Sequence, residues 1–221
     1  MKKFFLLFFL PFICSCAAPK NTSSTFTKSR PLSSGAGPVI VLDAGHGGKN
    51  LGTRAKYPYL EEKKVTLSTT LLVRKYLEHL GYKVVLTRNS DVFIPLSRRV
   101  HLANHSRSSL FVSIHYNSAP STSASGIEVF YCDCKKDPLR ARESKKLASL
   151  LLSSLIHRTK SKSRGVKKGN YYVIRESKIP AVLIEGGFIS NQEERKKLRD
   201  KNYLEKLAKA IATGIDQYVK S

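Results

Sequence analysis

The chain has 221 residues, and its 39 Lys+Arg against 16 Asp+Glu give a formal net charge of +23. Hydrophobic residues make up 41% of the chain, which is enough for a packed core and excludes wholesale disorder. The 13 Gly and 9 Pro exclude a collagen-like or low-complexity chain, and this length favours a single folded domain.

The first residues predict export. A basic segment at 1–3 (MKK) precedes an apolar run at 4–13, which is too short to span a bilayer as a stable helix and is typical of a signal peptide. The next residues, 13–16 (ICSC), resemble the bacterial lipobox, in which the last cysteine is acylated and becomes the new N-terminus. This predicts a lipoprotein signal peptide over 1–15 and a membrane anchor through a lipid on Cys16. An ordinary cleaved signal peptide is the alternative.

The segment after the signal peptide predicts a tether. Residues 17–37 are rich in Ser, Thr, Gly and Pro, with no acidic residue and no apolar periodicity. We therefore expect the lipidated cysteine and a flexible tether over 16–37, followed by one globular domain over 38–221.

Within 38–221, predicted strands alternate with predicted helices. Short β-rich apolar runs predict strands at 38–44, 82–88, 110–115, 126–131, 171–175 and 180–185. Apolar residues at helical spacing predict helices at 65–80, 96–105, 141–157 and about 204–218. This alternation predicts a three-layer α/β/α sandwich on a mostly parallel sheet.

Two histidines and a glutamate are candidates for a metal site. Functional sites of such sheets gather at the carboxyl ends of strands, and His46, His115 and Glu185 lie at or beside three predicted strand ends. Glu61 or Glu62, just before a predicted helix, could add a carboxylate, since two imidazoles and a carboxylate suit a hydrolytic zinc centre. Each residue alone is a weak signal, because a glutamate before a helix is often there for the helix dipole.

Taken in chain order, the motifs resemble those of one family. They are DAGHGG at 43–48, EKKV at 62–65, TR at 87–88, SIHYN at 113–117 and IEGGFISN at 184–191. In this order they are similar to the zinc N-acetylmuramoyl-L-alanine amidases of the Amidase_3 type, over essentially residues 39–218. The resemblance implies Zn²⁺ ligands at His46, Glu62 and His115 and a catalytic Glu185. The family motif Glu-Lys-Asp-Val keeps register only from Glu62, which selects it over Glu61.

The resemblance also implies a reaction. Enzymes of this family cut the amide that joins the lactyl group of N-acetylmuramic acid to the first L-alanine of the stem peptide, so we expect peptidoglycan or muropeptides as substrate. Asn117 is a candidate substrate donor. We expect a monomer on the periplasmic side of the cell envelope, and no nucleic-acid partner, because the chain has an export signal and no recognised nucleic-acid-binding motif.

The chain departs from the family pattern at a few positions. Asn50 and Leu51 stand where Asp-Pro is common, Lys64 stands where the family has Asp, and Gly186 replaces a more usual Val. None of these changes removes a candidate ligand or the candidate base. Lys64 could alter substrate preference, since it puts a cation near the site.

The roles of several nearby charged residues stay open in the sequence. Asp43 could orient His46 or simply end its strand. Glu128 could approach the zinc or face solvent. For Arg88 and Arg99, ion pairs that fix the domain are favoured over contacts with substrate carboxylates.

Other residues are predicted to lie outside the site. Cys132 and Cys134 are too close in sequence for a good disulfide and form half a metal site at most, so free thiols are expected. The basic segment 157–168 is predicted to be a surface loop that favours polyanions. The remaining histidines are expected on helix surfaces: His79, His101, His105 and His157.

Two rival functions remain. A zinc peptidase that cuts elsewhere in the stem peptide would use the same metal centre, and a wall-binding lipoprotein would keep the fold without turnover. The sequence keeps every candidate ligand and the candidate base, which argues against the wall-binding lipoprotein and leaves the zinc peptidase open. In some relatives, a long insertion between the strand after the second histidine and the following helix blocks the zinc. The corresponding connection here, before the helix predicted at 141, is too short for such an insertion, so we expect an accessible site.

Overall fold

The computed structural model describes Met1 and residues 37–221, so the predicted signal peptide, Cys16 and most of the predicted tether lie outside the described residues. The strands are β1 Val39–Ala44, β2 Arg54–Lys56, β3 Tyr59–Glu61, β4 Lys83–Leu86, β5 Ser108–Asn117, β6 Ile127–Tyr131, β7 Ser163–Lys168 and β8 Ala181–Phe188. The helices are α1 Glu62–His79, α2 Leu96–His105, α3 Pro138–Thr159, α4 Tyr172–Arg175, α5 Gln192–Leu198 and α6 Lys201–Val219. Within this part of the chain, no helix combines the length and apolar character that a membrane span needs.

Six strands form one sheet in the order β4-β1-β5-β8-β6-β7. The first four run parallel to one another, whereas β6 pairs antiparallel with β8 and parallel with β7. The other two strands, β2 and β3, form a short antiparallel hairpin that leads directly into α1. The prediction of a mostly parallel sheet is confirmed.

Helices cover both faces of this sheet. One face packs against α1, α3 and α6, where Ile40 and Leu42 of β1 enter the larger apolar core. The other face packs against α2 and α4, where Val41 of the same strand enters a smaller core. A strand with both faces covered must be apolar at successive positions, which explains the apolar run at 39–42 in β1. The predicted three-layer sandwich is therefore confirmed.

The four predicted helices are present with small shifts at their ends. The largest extension is at α3, which begins at Pro138 instead of 141. Asp137 caps it by accepting a hydrogen bond from the backbone N–H of Arg140, and proline suits the first helical position because it has no N–H to leave unpaired. The connection between β6 and α3 is the short segment 132–137, as expected.

Two local predictions are wrong. The segment 171–175 was expected to be a strand, but its apolar residues form the helical turn α4, whose Val173 and Ile174 pack into the smaller core. The basic segment 157–168 was expected to be a loop, but residues 163–168 form the edge strand β7. An edge strand pairs on one side only, so it tolerates charged residues that a central strand would not.

We predict that truncation of the larger core destabilises the domain strongly. Leu155 on α3 is fully buried, so Leu155→Ala should lower the free energy of unfolding by about 2–5 kcal/mol through lost contacts and a cavity. Leu139 on the same helix is 62% exposed, and Leu139→Ala should stay within about 0.5 kcal/mol of wild type. Urea unfolding of residues 37–221 measures both, and equal losses would contradict this packing.

Candidate metal centre

The candidate site lies at the carboxyl ends of the central strands. His46 follows β1 in a left-handed conformation with φ 62°, which histidine adopts more often than most residues other than glycine. His115 lies near the end of the neighbouring strand β5. Glu62 is the first residue of α1 and directly follows the β2–β3 hairpin. Three distant parts of the sequence therefore meet at one edge of the sheet.

The three side chains converge on one oxygen atom. Glu62 Oε1 lies 2.9 Å from His46 Nε2 and 3.0 Å from His115 Nδ1, and the three candidate ligand atoms all lie within 4.8 Å of one another. Ligands at about 2.0–2.1 Å from a tetrahedral Zn²⁺ are about 3.3 Å apart, so the two distances from Glu62 to the histidines come within a few tenths of an ångström of that separation. Two imidazole nitrogens and a carboxylate oxygen form a donor set that fits zinc.

Neighbouring groups orient two of the candidate ligands, Glu62 and His46. The backbone N–H of Thr53 donates to Glu62 Oε2 at 2.9 Å, and that of Tyr116 donates to Glu62 Oε1 at 3.1 Å. His46 Nδ1 lies 2.9 Å from Asn50 Oδ1, an acceptor that leaves Nε2 of the same ring for the metal. In the sequence, Asn50 is noticeable only as a departure from the family pattern. The one sequence signal for its contact with the His46 ring is the spacing of four residues between them.

Glu61 is oriented away from this centre. It accepts hydrogen bonds from Tyr59 Oη and pairs with Lys64 Nζ at 3.2 Å. The structure thus brings Glu62, and not Glu61, to the two histidines. Lys64 is mostly exposed and is occupied by Glu61 and not by the candidate ligands.

Two glycines lie so close to the candidate ligands that a side chain at either position would overlap with them. A Cβ on Gly45 would lie 2.3 Å from the His115 ring, which no real contact allows. A Cβ on Gly52 would lie 2.6 Å from Glu62 Oε2, and its φ of +67° also favours glycine. Any larger residue at either position would displace a candidate ligand.

The electrostatics of the cluster favour a charged Glu62. Burial by itself raises the pKa of Glu62, but hydrogen bonds from His115 and His46 outweigh it, and the net pKa is lowered far below the usual range. Burial lowers the pKa of His46, yet the hydrogen bond to Glu62 outweighs burial, so its net pKa is raised. The centre therefore keeps a carboxylate anion that can bind a cation.

A buried ionic network holds the turn that carries His46. Asp43 accepts from Arg99 Nη1 at 2.6 Å, Thr87 Oγ1 at 2.6 Å and Ser113 Oγ at 2.7 Å. Burial raises the pKa of Asp43, but Arg99 and the two hydroxyls outweigh it and lower the pKa. Asp43 makes no hydrogen bond to the His46 ring among the described residues, so it braces the strand end and does not orient the imidazole.

The two arginines of this network are structural. Arg88 Nη2 donates to the carbonyl oxygens of Gly45 and Lys63, both at 2.8 Å, and Arg99 Nη2 donates to that of His46 at 2.6 Å. Both side chains are buried. These contacts match the role that the sequence favours for both arginines, which is to fix the domain through internal interactions and not to bind substrate carboxylates.

Glu185 lies one strand away from His115, with which it is paired in the β5–β8 register. Its side chain is 9% exposed, and Oε2 has no hydrogen-bond partner among the described residues. Burial raises the pKa of Glu185 well above the usual range, and the charges of Glu62 and Glu128 raise it further. A buried carboxyl with a raised pKa beside a metal site is suited to exchange protons.

Asn117 and Glu128 contact each other. Asn117 Nδ2 donates to Glu128 Oε1 at 2.6 Å, so the donor that was predicted for substrate is used within the protein here. Glu128 is buried opposite Glu185 in the β6–β8 register and does not face solvent. Its second oxygen, Oε2, accepts from Arg164 Nε at 2.9 Å and from Lys167 Nζ at 2.6 Å.

A cavity of about 440 Å³ opens beside the two histidines. Its walls are formed largely by apolar and aromatic side chains of the loop before α2 and of the α4 turn, namely Phe93, Ile94, Leu96, Tyr171, Tyr172 and Val173. This cavity could not be predicted from the sequence, because its residues lie in connecting segments whose apolar positions follow neither helical nor strand periodicity.

Residues expected to lie outside the site do so. Cys132 and Cys134 are free thiols next to α3, and no further ligand cluster is formed among the described residues. The remaining histidines lie on exposed helix positions, at His79, His101, His105 and His157.

Comparison with known proteins shows the family. The Amidase_3 family model, described as N-acetylmuramoyl-L-alanine amidase, matches residues 40–217. The chain belongs to this family. The matched residues include all three candidate ligands and Glu185, so the candidate site lies within the amidase domain.

Individual relatives agree with this membership. The chain is 38% identical over 182 residues to the uncharacterized protein YqiI of Bacillus subtilis, covering 82% of this chain and 85% of that protein. It is 32% identical over 225 residues to the N-acetylmuramoyl-L-alanine amidase AmiC of Neisseria meningitidis, covering 85% of this chain and 54% of AmiC. This chain thus spans about half the length of AmiC.

A solved structure has the same fold. The catalytic domain of CwlV, an N-acetylmuramoyl-L-alanine amidase from Bacillus (Paenibacillus) polymyxa var. colistinus, superposes with a TM-score of 0.77 at 36% identity. The match covers 83% of this chain and 98% of the CwlV domain. The amidase domain described here therefore has the architecture of an amidase catalytic domain.

We predict that Asn50 sets the metal affinity of the amidase domain. Asn50→Leu removes the acceptor for His46 Nδ1 and should weaken Zn²⁺ binding about 10- to 100-fold, because the ring loses its fixed orientation. Asn50→Asp keeps an acceptor oxygen and should bind nearly as tightly as wild type. Dialysis against graded chelator with atomic emission measures the retained zinc; equal retention in Asn50→Leu and wild type would contradict this role.

Proposed function

We propose that this chain is a zinc-dependent N-acetylmuramoyl-L-alanine amidase, which hydrolyses the amide between N-acetylmuramic acid and L-alanine of the stem peptide. The observation that carries the proposal is the meeting of two imidazoles and a carboxylate at one sheet edge, with a buried carboxyl on the adjacent strand. Family membership supports the substrate class.

His46 Nε2, Glu62 Oε1 and His115 Nδ1 would hold the zinc ion. When bound in such a site, Zn²⁺ lowers the pKa of a coordinated water to about 7 and polarises the scissile carbonyl. The two histidines are partly exposed, which gives substrate access to the centre from the side of the apolar cavity.

Glu185 is the proposed proton carrier. Its carboxylate takes a proton from the attacking water and passes it to the nitrogen of L-alanine, so that a C–O bond forms as the C–N bond breaks. An amide nitrogen is a poor leaving group unless it is protonated, which makes this transfer necessary. The unpartnered Oε2 and the raised pKa of Glu185 support its capacity to hold the proton between the two transfers.

The remaining assignments concern the neighbouring residues and the N-terminus. We keep Asn117 as a residue of the substrate cleft, two positions beyond His115, with its amide donor directed at Glu128. We also propose that residues 1–15 are a lipoprotein signal peptide, that a lipid on Cys16 anchors the chain in the envelope, and that the domain works there as a monomer on peptidoglycan or muropeptides.

We predict that digestion of purified muropeptides releases stem peptides that begin with L-alanine. Chelation should stop the reaction and added zinc should restore it, because the metal is held only by three side chains. Mass spectrometry of the products separates the rivals: release of D-alanine or a dipeptide would indicate a zinc peptidase, and no release under any condition would indicate a wall-binding protein.

We predict that Glu185→Gln keeps zinc but loses turnover by about 10²- to 10⁴-fold, since the amide cannot carry the proton. Glu193→Gln is the matched control, because Glu193 is exposed on α5 and should leave the rate unchanged. Muropeptide cleavage and zinc content are measured on both variants. Turnover of Glu185→Gln near that of wild type would refute the assignment.

We predict that the exported protein begins with an acylated Cys16. Its intact mass should correspond to loss of residues 1–15 plus the acyl groups, and Cys14→Ser should not change this, whereas Cys16→Ser should remove the added mass. A mature protein that starts at residue 16 without acyl mass would contradict the lipid anchor.

A further inference from the structure

The cationic pair Arg164 and Lys167 on β7 has no part in the proposed hydrolysis, yet it lies in line with the site. Both side chains reach Glu128 on β6, which is paired with Glu185 on β8. Residues that are directly opposite in a sheet have side chains on the same face. His115, Glu185 and Glu128 therefore lie side by side on three adjacent strands, and the cationic pair lies beside Glu128 on β7, the next strand.

The pair is held in place by a buried anion. Glu128 is 4% exposed and accepts three hydrogen bonds, one from Asn117 and two from the cations. The guanidinium of Arg164 also lies over the Phe188 ring, 4.8 Å from its centroid. These contacts fix the Arg164 side chain and reduce the conformational entropy that it would lose on binding an anion.

Both cations of this cluster pair with the same carboxylate oxygen and remain partly accessible. Arg164 and Lys167 share Glu128 Oε2, and their side chains are 30% and 39% exposed, respectively. Arg164 binds Glu128 through Nε, Nη1 reaches the carbonyl oxygen of Ser125 only at 3.5 Å, and Nη2 has no partner among the described residues. A guanidinium with its Nη edge open is suited to bind a carboxylate through two parallel hydrogen bonds.

The position of the pair matches the length of a stem peptide. Neighbouring strands are about 4.8 Å apart, so β7 lies roughly 10 Å from β8 and Glu185. An extended peptide advances about 3.3–3.6 Å per residue, which puts the second and third residues of the stem roughly 7–11 Å from the scissile bond. Carboxylates on those residues would reach the cationic pair while the amide lies at the metal centre.

We propose that Arg164 and Lys167, positioned by Glu128, form a subsite that binds a free carboxylate on the second or third residue of the stem peptide. This inference rests on the proposed amidase function and adds a specificity to it. The chain selects stems with free carboxylates over stems in which these groups are amidated.

The test compares two pairs of muramoyl tripeptides. In the first pair, the α-carboxyl of the second residue is either free or amidated. In the second pair, the C-terminal carboxyl is either free or amidated. Wild type should cleave one free form about tenfold better in kcat/KM, the size expected of a partly exposed charge-assisted hydrogen bond. Arg164→Gln should reduce this preference to twofold or less, and Lys167→Gln should reduce it partially. The preference is a ratio within one variant, so loss of folded protein does not change it.

Matched controls remove the same charges elsewhere. Arg158 on α3 and Lys206 on α6 are exposed, and both helices cover the face of the sheet that carries the larger apolar core, away from Glu128. Arg158→Gln and Lys206→Gln should therefore keep the wild-type preference. If the cationic pair only neutralised Glu128, Arg164→Gln would lower stability and leave the preference intact. That result, or a wild type without preference for either group, would overturn the subsite.

A binding measurement separates this inference from the proposed function. Glu185→Gln keeps the cationic pair and should bind the free tripeptide about tenfold more tightly than its amidated form in calorimetry, and adding Arg164→Gln should abolish the difference. Cleavage by wild type without any preference overturns the subsite alone. Absence of cleavage with the binding difference retained overturns the amidase assignment and supports the subsite.

Discussion

The carboxylate of Glu62 is the group on which the candidate site depends. Its Oε1 lies within 3.0 Å of an imidazole nitrogen of His46, which follows β1, and of His115 on the adjacent strand β5, and its backbone lies in the first turn of α1. The positive end of the helix dipole and the two imidazoles all favour the anion. A metal cation held by these residues would replace the two hydrogen bonds with coordination, while each imidazole nitrogen stays at almost the same separation from the carboxylate oxygen.

The rest of the sheet edge keeps this carboxylate and its partners in register. The ionic network of Asp43, Arg88 and Arg99 ties the backbone of the glycine-rich turn to β4 and α2, so His46 cannot move independently. Removing one partner from such a buried ion pair typically costs about 3–5 kcal/mol, since the other charge is left without compensation. The network therefore combines stability with accurate placement of His46.

Much of this arrangement could be predicted from the sequence. Apolar runs locate the central strands, and motifs at their ends locate His46, His115 and Glu185, because parallel strands bring their carboxyl ends together. Glu62, at the start of a helix, was selected over Glu61 only through the family resemblance. The α4 turn and β7 were mispredicted for opposite reasons. Tyr172–Arg175 has a strand-like composition but forms a helical turn that packs Val173 and Ile174 into the smaller core, whereas Ser163–Lys168 has a loop-like composition but pairs with β6.

Tertiary contacts explain what the sequence could not indicate. The hydrogen bond of Asn50 to His46 and the triple pairing of Glu128 depend on how loops and edge strands meet, and no periodic pattern encodes them. The β2–β3 hairpin was missed because its strands have three residues each.

The charges of β7 have a further consequence, for self-association. The outer edge of this strand carries backbone N–H and C=O groups that could pair with the same edge of a second copy and so extend the sheet between molecules. Such pairing would bring Arg164, Lys167 and Lys168 of both copies together, and the mutual repulsion of like charges opposes it. The basic edge thus opposes edge-to-edge association of two copies through β7.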